Sequence, residues 1–190
     1  LSVQVHPDDE GARKLGQPVG KTECWYVLEA KPGAKIGLGM KPGTTREDLK
    51  RAIADNTAEH LLNWIGVQRG EMYYVDAGTV HAIAAGSILV ETQQNSDTTF
   101  RLYDYGRPRE LHVEQGIGAT KEITRAGKVL EAEPPVLVAS PFFVVEKFSA
   151  AKGAPVALKA DGAAQALVAL AGGGAIEAPG CAPVSFSRGE

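Results

Sequence analysis

The sequence predicts an all-β sandwich or barrel with one helical insertion. Three observations predict it. Many short runs of alternating apolar residues are separated by Gly, Pro, Asp and Asn turns. One stretch, 44–65, carries helical spacing instead. The 190 residues suffice for a full core in one large or two small domains.

Taken in order, residues 1–6 alternate as a strand. Residues 7–20 are polar and hold Pro7, Gly11, Gly16, Pro18 and Gly20, which predicts a loop with one helical turn. Residues 21–30 and 34–40 read as strands, with Gly37-Leu38-Gly39 as a bulge in the second. Pro42-Gly43 ends that run. Thr44 with Glu47 has the spacing of a capping box and starts one or two helices over 45–64, broken near Asn56. Leu49, Ile53, Leu61, Leu62 and Ile65 form their apolar face. Short strands follow over 70–75, 82–91 and 98–105. The proline-bearing stretch 127–142 reads as a connection to a second unit. There, 142–148 alternates as a strand, and 166–171 and 175–178 flank Gly172-Gly173-Gly174 as a glycine-turn hairpin.

Composition narrows the function. The net charge of −3 gives no whole-chain basic character for nucleic acid. No apolar run reaches bilayer-spanning length, and no signal-peptide pattern opens the sequence. Cys24 and Cys181 lie far apart without a CxxC motif, which suits a reducing compartment with Cys24 buried. The expectation is a cytoplasmic protein with no membrane or nucleic-acid partner. Leu1-Ser2-Val3 begins inside a strand pattern. Arg188-Gly189-Glu190 echoes the Arg69-Gly70-Glu71 that leads towards His81. Both ends therefore read as parts of something longer.

Four residues from three places in the chain form a candidate metal set: Gln4, His6, Glu23 and His81. Side chains two apart on a strand share a face, so Gln4 projects with His6, and Lys21 with Glu23. Imidazole and carboxylate donors are the set that zinc takes in catalytic sites, which keep one position open. His60 and His112 have no ligand partner at useful spacing and read as structural.

Ser2-Val3-Gln4-Val5-His6-Pro7-Asp8-Asp9, Gly20-Lys21-Thr22-Glu23-Cys24-Trp25, Gly70 to Ile83 and Glu91 to Arg107 together resemble the zinc-dependent mannose-6-phosphate isomerases of cupin fold, particularly their short bacterial form. The resemblance is dense over about residues 1–115. It implies a cupin (double-stranded β-helix) at 1–126 with the helical insertion 44–65, and part of a second, degenerate cupin at 136–190. It implies Gln4, His6, Glu23 and His81 as Zn²⁺ ligands, Arg101 and Lys21 as catalytic or electrostatic partners of the sugar, and Ser2 as a phosphate contact. The implied substrate is a small sugar phosphate. Asp76 stands where the general cupin motif has proline, which is expected to loosen that turn.

An aldose–ketose isomerase must move a proton between adjacent carbons through an enediol, which needs a Lewis acid and a base. Lys21 or a metal-bound water is the candidate base, and His81 is a poor one if one nitrogen binds metal and the other is tied up. Arg101, always charged, suits the developing anion or the phosphate, and Arg107 is a further candidate for the anion. Glu91, on a face with Gln93, reads by default as a plain strand carboxylate. Two other classes compete. A non-catalytic sugar-phosphate-binding cupin would keep the metal set but need not keep both Lys21 and Arg101. An iron dioxygenase cupin uses three histidines with a carboxylate, where this chain offers two.

Overall fold

The structure is a computed structural model that describes residues 1–130, 134–159 and 162–189. The expected connection over 127–142 includes 131–133, and the echo at the chain end includes Glu190. These lie outside the described residues. Contacts divide the chain into two units, Leu1–Phe148 and Ser149–Glu190.

The first unit is two antiparallel sheets with two helices on one outer face. One sheet runs β4(Leu62–Gly66)-β3(Lys35–Met40)-β6(His81–Ile83)-β1(Val3–Val5)-β8(Phe100–Tyr103). The other runs β7(Ser87–Gln93)-β2(Glu23–Ala30)-β5(Met72–Val75)-β9(Gly127–Lys128). A further hairpin, β10(Val136–Ala139) with β11(Val144–Glu146), completes it. In the second unit β12(Gly173–Ile176) pairs with β13(Val184–Ser187).

Alternation decides which residues meet. Trp25, Val27, Tyr73 and Val75 of one sheet pack with Ile36 and Leu38 of the other as a core between the sheets. The opposite face of the first sheet, through Val3, Val5, Leu62, Ala82, Phe100 and Leu102, packs on Leu49 and Ile53 of α2(Arg46–Ala54), with Val113 and Ile117 of α3(Val113–Ala119) against it. Both faces of β1 and β6 are thus covered, which buries the polar residues placed on them.

Several expectations change. The strand expected over 82–91 is two, β6 and β7, and β9 and β10 lie within the stretch expected to be a connection. The capping box is one residue further on: Thr45 Oγ1 accepts from Asp48 N, and Asp48 caps Thr45 N in return. The second helical stretch is one turn, Ala58–Leu61, after which Leu62–Gly66 is strand β4, paired to β3 through Ile36↔Ile65. Leu62 and Ile65 therefore bury as sheet residues rather than as a helix face. The glycine triplet is not a turn: Gly173 and Gly174 are strand residues opposite Ser187 and Phe186, and 166–171 forms no strand. The expected bulge near Gly37-Leu38-Gly39 is present as a register shift between Gly37 and Met40. Among the described residues, no helix is long and apolar enough to cross a membrane.

Candidate metal centre

The candidate residues enter one end of the inter-sheet space from both sides. Gln4 on β1 lies in register with His81, the first residue of β6, and with Arg101 on β8. His6 follows directly after β1. The facing sheet supplies Glu23 as the first residue of β2, with Lys21 two positions earlier. His81 is aimed by the turn 76–79, in which Gly78 adopts φ 92° and donates its N–H to the His6 carbonyl at 2.8 Å. That turn is not loosened by Asp76. Its carboxylate accepts from Thr79 Oγ1 at 2.9 Å and from Arg125 N at 3.1 Å.

His6, Glu23 and His81 are 1–2 % exposed. One donor atom from each lies within 4.8 Å of the others. His81 Nε2 is 3.3 Å from Glu23 Oε1, and His6 Nε2 is 3.6 Å from Glu23 Oε2. Each imidazole is 2.9 Å through Nδ1 from a carbonyl, His6 from Thr98 O and His81 from Thr79 O. A carbonyl only accepts, so each Nδ1 carries the proton and each Nε2 presents a lone pair. Such back-side carbonyls are how metal-binding histidines are oriented. Two unprotonated imidazole nitrogens and a carboxyl group thus converge. Among the described residues, His6 Nε2 and Glu23 Oε2 have no hydrogen-bond partner. Lys21 Nζ stands 3.9 Å from Glu23 Oε2, too far for a hydrogen bond. The donor chemistry fits a divalent cation, which would supply the missing charge.

Protonation agrees with that reading. Burial first, then His81 and Lys21, pushes His6 down to about 2. Burial likewise takes His81 down to about 4. Both rings are neutral and ready to ligate at pH 7. Burial raises Glu23 to about 7, against the pull of Lys21.

Gln4 meets the set differently. Its Nε2 lies 3.1 Å from His81 Nε2, and its Oε1 accepts from Ser2 Oγ at 3.4 Å. Ligation uses the amide oxygen, so Gln4 joins the set only after a half-turn of its carboxamide. The hydroxyl of Ser2, 3 % exposed, is turned to Gln4. Arg101 shares its row with Gln4, but Nη1 donates to Glu110 O at 2.9 Å, while its buried Nε has no partner among the described residues. Arg107 is held by Asp104, which also binds Arg109. His112 Nδ1 accepts from Arg101 N at 3.3 Å, and His60 lines a separate cleft. That cleft, of about 720 Å³, is bounded by Lys35, Lys41, Trp64, Tyr105 and Arg107 and includes none of the donor set.

One residue has more weight than its sequence default. Glu91 sits opposite Trp25 on β7, diagonal to Glu23, near enough that the two carboxyls perturb each other's ionisation. Burial, then Glu23, raises Glu91 to about 7. The signal was available in the period-two spacing of Glu91 and Gln93, but only the β2–β7 register shows that it meets Glu23.

The fold and the buried His/Glu/His set define a cupin with a metal-type centre. No protein-family model matches the chain. It is 46 % identical over 160 residues to mannose-6-phosphate isomerase of Streptococcus mutans serotype c, covering 78 % of this chain and 50 % of that protein. It is 47 % identical over 125 residues to mannose-6-phosphate isomerase ManA of Bacillus subtilis, covering 62 % and 39 %. The crystal structure of a Bacillus subtilis mannose 6-phosphate isomerase superposes with a TM-score of 0.77 at 30 % identity, over 99 % of this chain and 63 % of that one. In sequence and in fold the chain is a relative of the mannose-6-phosphate isomerases. It spans about half the length of the first of these curated relatives.

Proposed function

We propose that this chain carries the zinc centre of an isomerase that interconverts mannose 6-phosphate and fructose 6-phosphate. The observation that carries the reading is the convergence of three buried ligand atoms from His6, Glu23 and His81, with both imidazole Nε2 atoms unprotonated. Zn²⁺ held by these three, with Gln4 as a neutral fourth ligand, would supply Lewis-acid polarisation of the sugar oxygens. The protein's own groups do the rest. Lys21 and Glu91 flank Glu23 and are the candidates to take a proton from one sugar carbon and return it to the next. Arg101, in line with Gln4, meets the negative charge of the enediol or the phosphate through its uncommitted Nε–H. Ser2 would donate to the phosphate once Gln4 turned to the metal and freed its hydroxyl.

The two sequence domains enter the same reading, 1–126 as the metal-binding cupin and 136–190 as the start of a second one, with the β10–β11 hairpin of that second stretch grouping with the first unit. Cytoplasmic location is supported by the two free thiols, of which Cys24 is buried with its ionisation pushed up to about 12.

The test is a coupled assay on the full-length protein with and without chelator. Turnover is expected to fall at least tenfold on zinc removal and to return on adding it back. Chelator-insensitive turnover defeats the reading. Zinc-dependent sugar-phosphate binding without turnover would favour a regulatory module instead.

A pH dependence follows. The histidines bind protons in the unfolded chain below about 6.5 but not in the folded one. Their burial therefore lowers stability as pH falls through that value. Glu23 and Glu91 have folded values raised to about 7, so the metal-free protein loses stability as pH rises from about 4.5 to 7. Glu23 would stay ionised as a ligand to bound zinc, which would remove its share of this loss. The rise in Tm on adding zinc is expected to be larger at pH 7.5 than at pH 5. Equal rises at both pH values would contradict it.

A further inference from the structure

Residues 20–22 precede β2, so their backbone N–H groups have no strand partner in place. All three are nonetheless committed. Gly20 N donates to Asp9 Oδ1 at 2.8 Å, Lys21 N to Pro7 O at 3.0 Å, and Thr22 N to Gln94 Oε1 at 2.8 Å. Gln94 brackets Thr22 from both sides, because its own N–H donates to Thr22 O at 3.0 Å. Its Nε2 then donates to Asp9 Oδ1 at 3.0 Å. One oxygen of Asp9 therefore holds both Gly20 and Gln94, and Gln94 is only 9 % exposed. The amide can face only one way here, since one end meets a donor and the other a carboxylate. Thr22 adds a further tie, its Oγ1 accepting from Ala77 N at 3.3 Å in the turn before His81.

We propose that Asp9 and Gln94 act as a positioning pair that sets the Lys21-Thr22-Glu23 segment against the two imidazoles. The inference rests on the metal reading above. Thr22 is the residue clamped, and the side chains on either side of it, Lys21 and Glu23, project to the opposite face. Fixing the Thr22 peptide thus fixes the carboxylate ligand and the ammonium beside it, although neither Asp9 nor Gln94 touches the centre.

The probe is Co²⁺ alone, bound to the full chain, with affinity read by chelator competition and geometry by its visible absorption. Gln94→Glu keeps an acceptor for Thr22 N but turns a carboxylate on Asp9. It is expected to weaken Co²⁺ binding about tenfold and to alter the spectrum. The double variant Asp9→Asn with Gln94→Glu removes the like-charge repulsion, but the shared Asp9 position then offers either an acceptor to Gly20 N or a donor to the introduced carboxylate, not both. It is expected to recover part of the affinity lost in Gln94→Glu. Asp9→Ala, which adds no like charge, is expected to lose about tenfold and serves if Gln94→Glu does not fold. Thr45→Ala removes a helix cap away from the centre and should lower stability while leaving affinity and spectrum unchanged. Parental affinity and spectrum in Gln94→Glu or Asp9→Ala would overturn the pair, as would a double variant no better than Gln94→Glu. Failure of the parent chain to bind Co²⁺ would overturn the metal reading itself, and the pair with it.

Discussion

Glu23→Gln is expected to weaken Zn²⁺ binding by about 100-fold or more while leaving the metal-free protein as stable as the parent or more so at pH 7.5. The two effects have opposite signs for one reason. Glu23 is the one carboxylate of the His6–Glu23–His81 group and supplies its negative charge. Removing it takes away the attraction that offsets the dehydration of a divalent ion. Without metal, that carboxylate is a desolvated anion facing two lone pairs. Glutamine has nearly the same shape and brings an N–H₂ that can donate to His6 Nε2, which has no partner now. A gain of about 1–2 kcal/mol is expected from satisfying that atom. Denaturant titration in chelator, beside zinc competition, measures both. If Glu23 instead paired with a protonated imidazole, the same substitution would destabilise the metal-free protein by several kcal/mol. That outcome would exclude the metal centre.

The donor set was legible because its logic is local: one-letter spacing on strands fixes which side chains share a face, and that placed Gln4 with His6 and Lys21 with Glu23. Their convergence depends on register. Gln4↔His81 and Glu23↔Gln93 are pairings between residues 70 or more positions apart, which no spacing rule supplies. Glu91 became part of the site for the same reason. The failures have specific causes. Thr44 and Thr45 each have an acidic residue three positions on, so the box could not be placed from spacing alone. Leu61, Leu62 and Ile65 fit helical spacing, but Leu62–Gly66 gains more by completing the edge beside β3. The glycine triplet misled because glycine has two uses. At Gly174 it makes room for the Phe186 ring, which a Cβ would meet at 3.1 Å, and the strand continues through it. The Asp9–Gln94 knot was out of reach from sequence, since side-chain-to-backbone bonds between loops leave no periodic trace.

Gly20→Ala is expected to be the most damaging single-methyl change near the centre. Gly20 does not have a positive φ, so the backbone conformation itself would admit alanine. The obstacle is approach. A Cβ there would lie 2.5 Å from Asp8 C, 2.6 Å from Asp9 N and 2.7 Å from Pro7 O. All three are main-chain atoms of the segment joining His6 to α1(Asp9–Lys14). They cannot swing aside as a side chain would. At Gly37, by contrast, the nearest atom is the flexible Leu62 Cδ1 at 2.7 Å. Relief at Gly20 requires the two segments to part, and parting breaks Gly20 N to Asp9 and Lys21 N to Pro7 together. Overpacking of this kind, with two hydrogen bonds lost, is expected to cost about 3 kcal/mol or more. For a chain of this size that lowers Tm by roughly 6–12 °C. Because the displaced segments carry His6 and Glu23, zinc affinity should fall in the same variant. Gly66→Ala, where nothing lies within 4 Å of the new methyl and φ is not positive, is the control and should stay within about 1 kcal/mol of the parent. If Gly20→Ala matched that control in both stability and zinc affinity, the close approach would not be what aligns the two ligand-bearing segments.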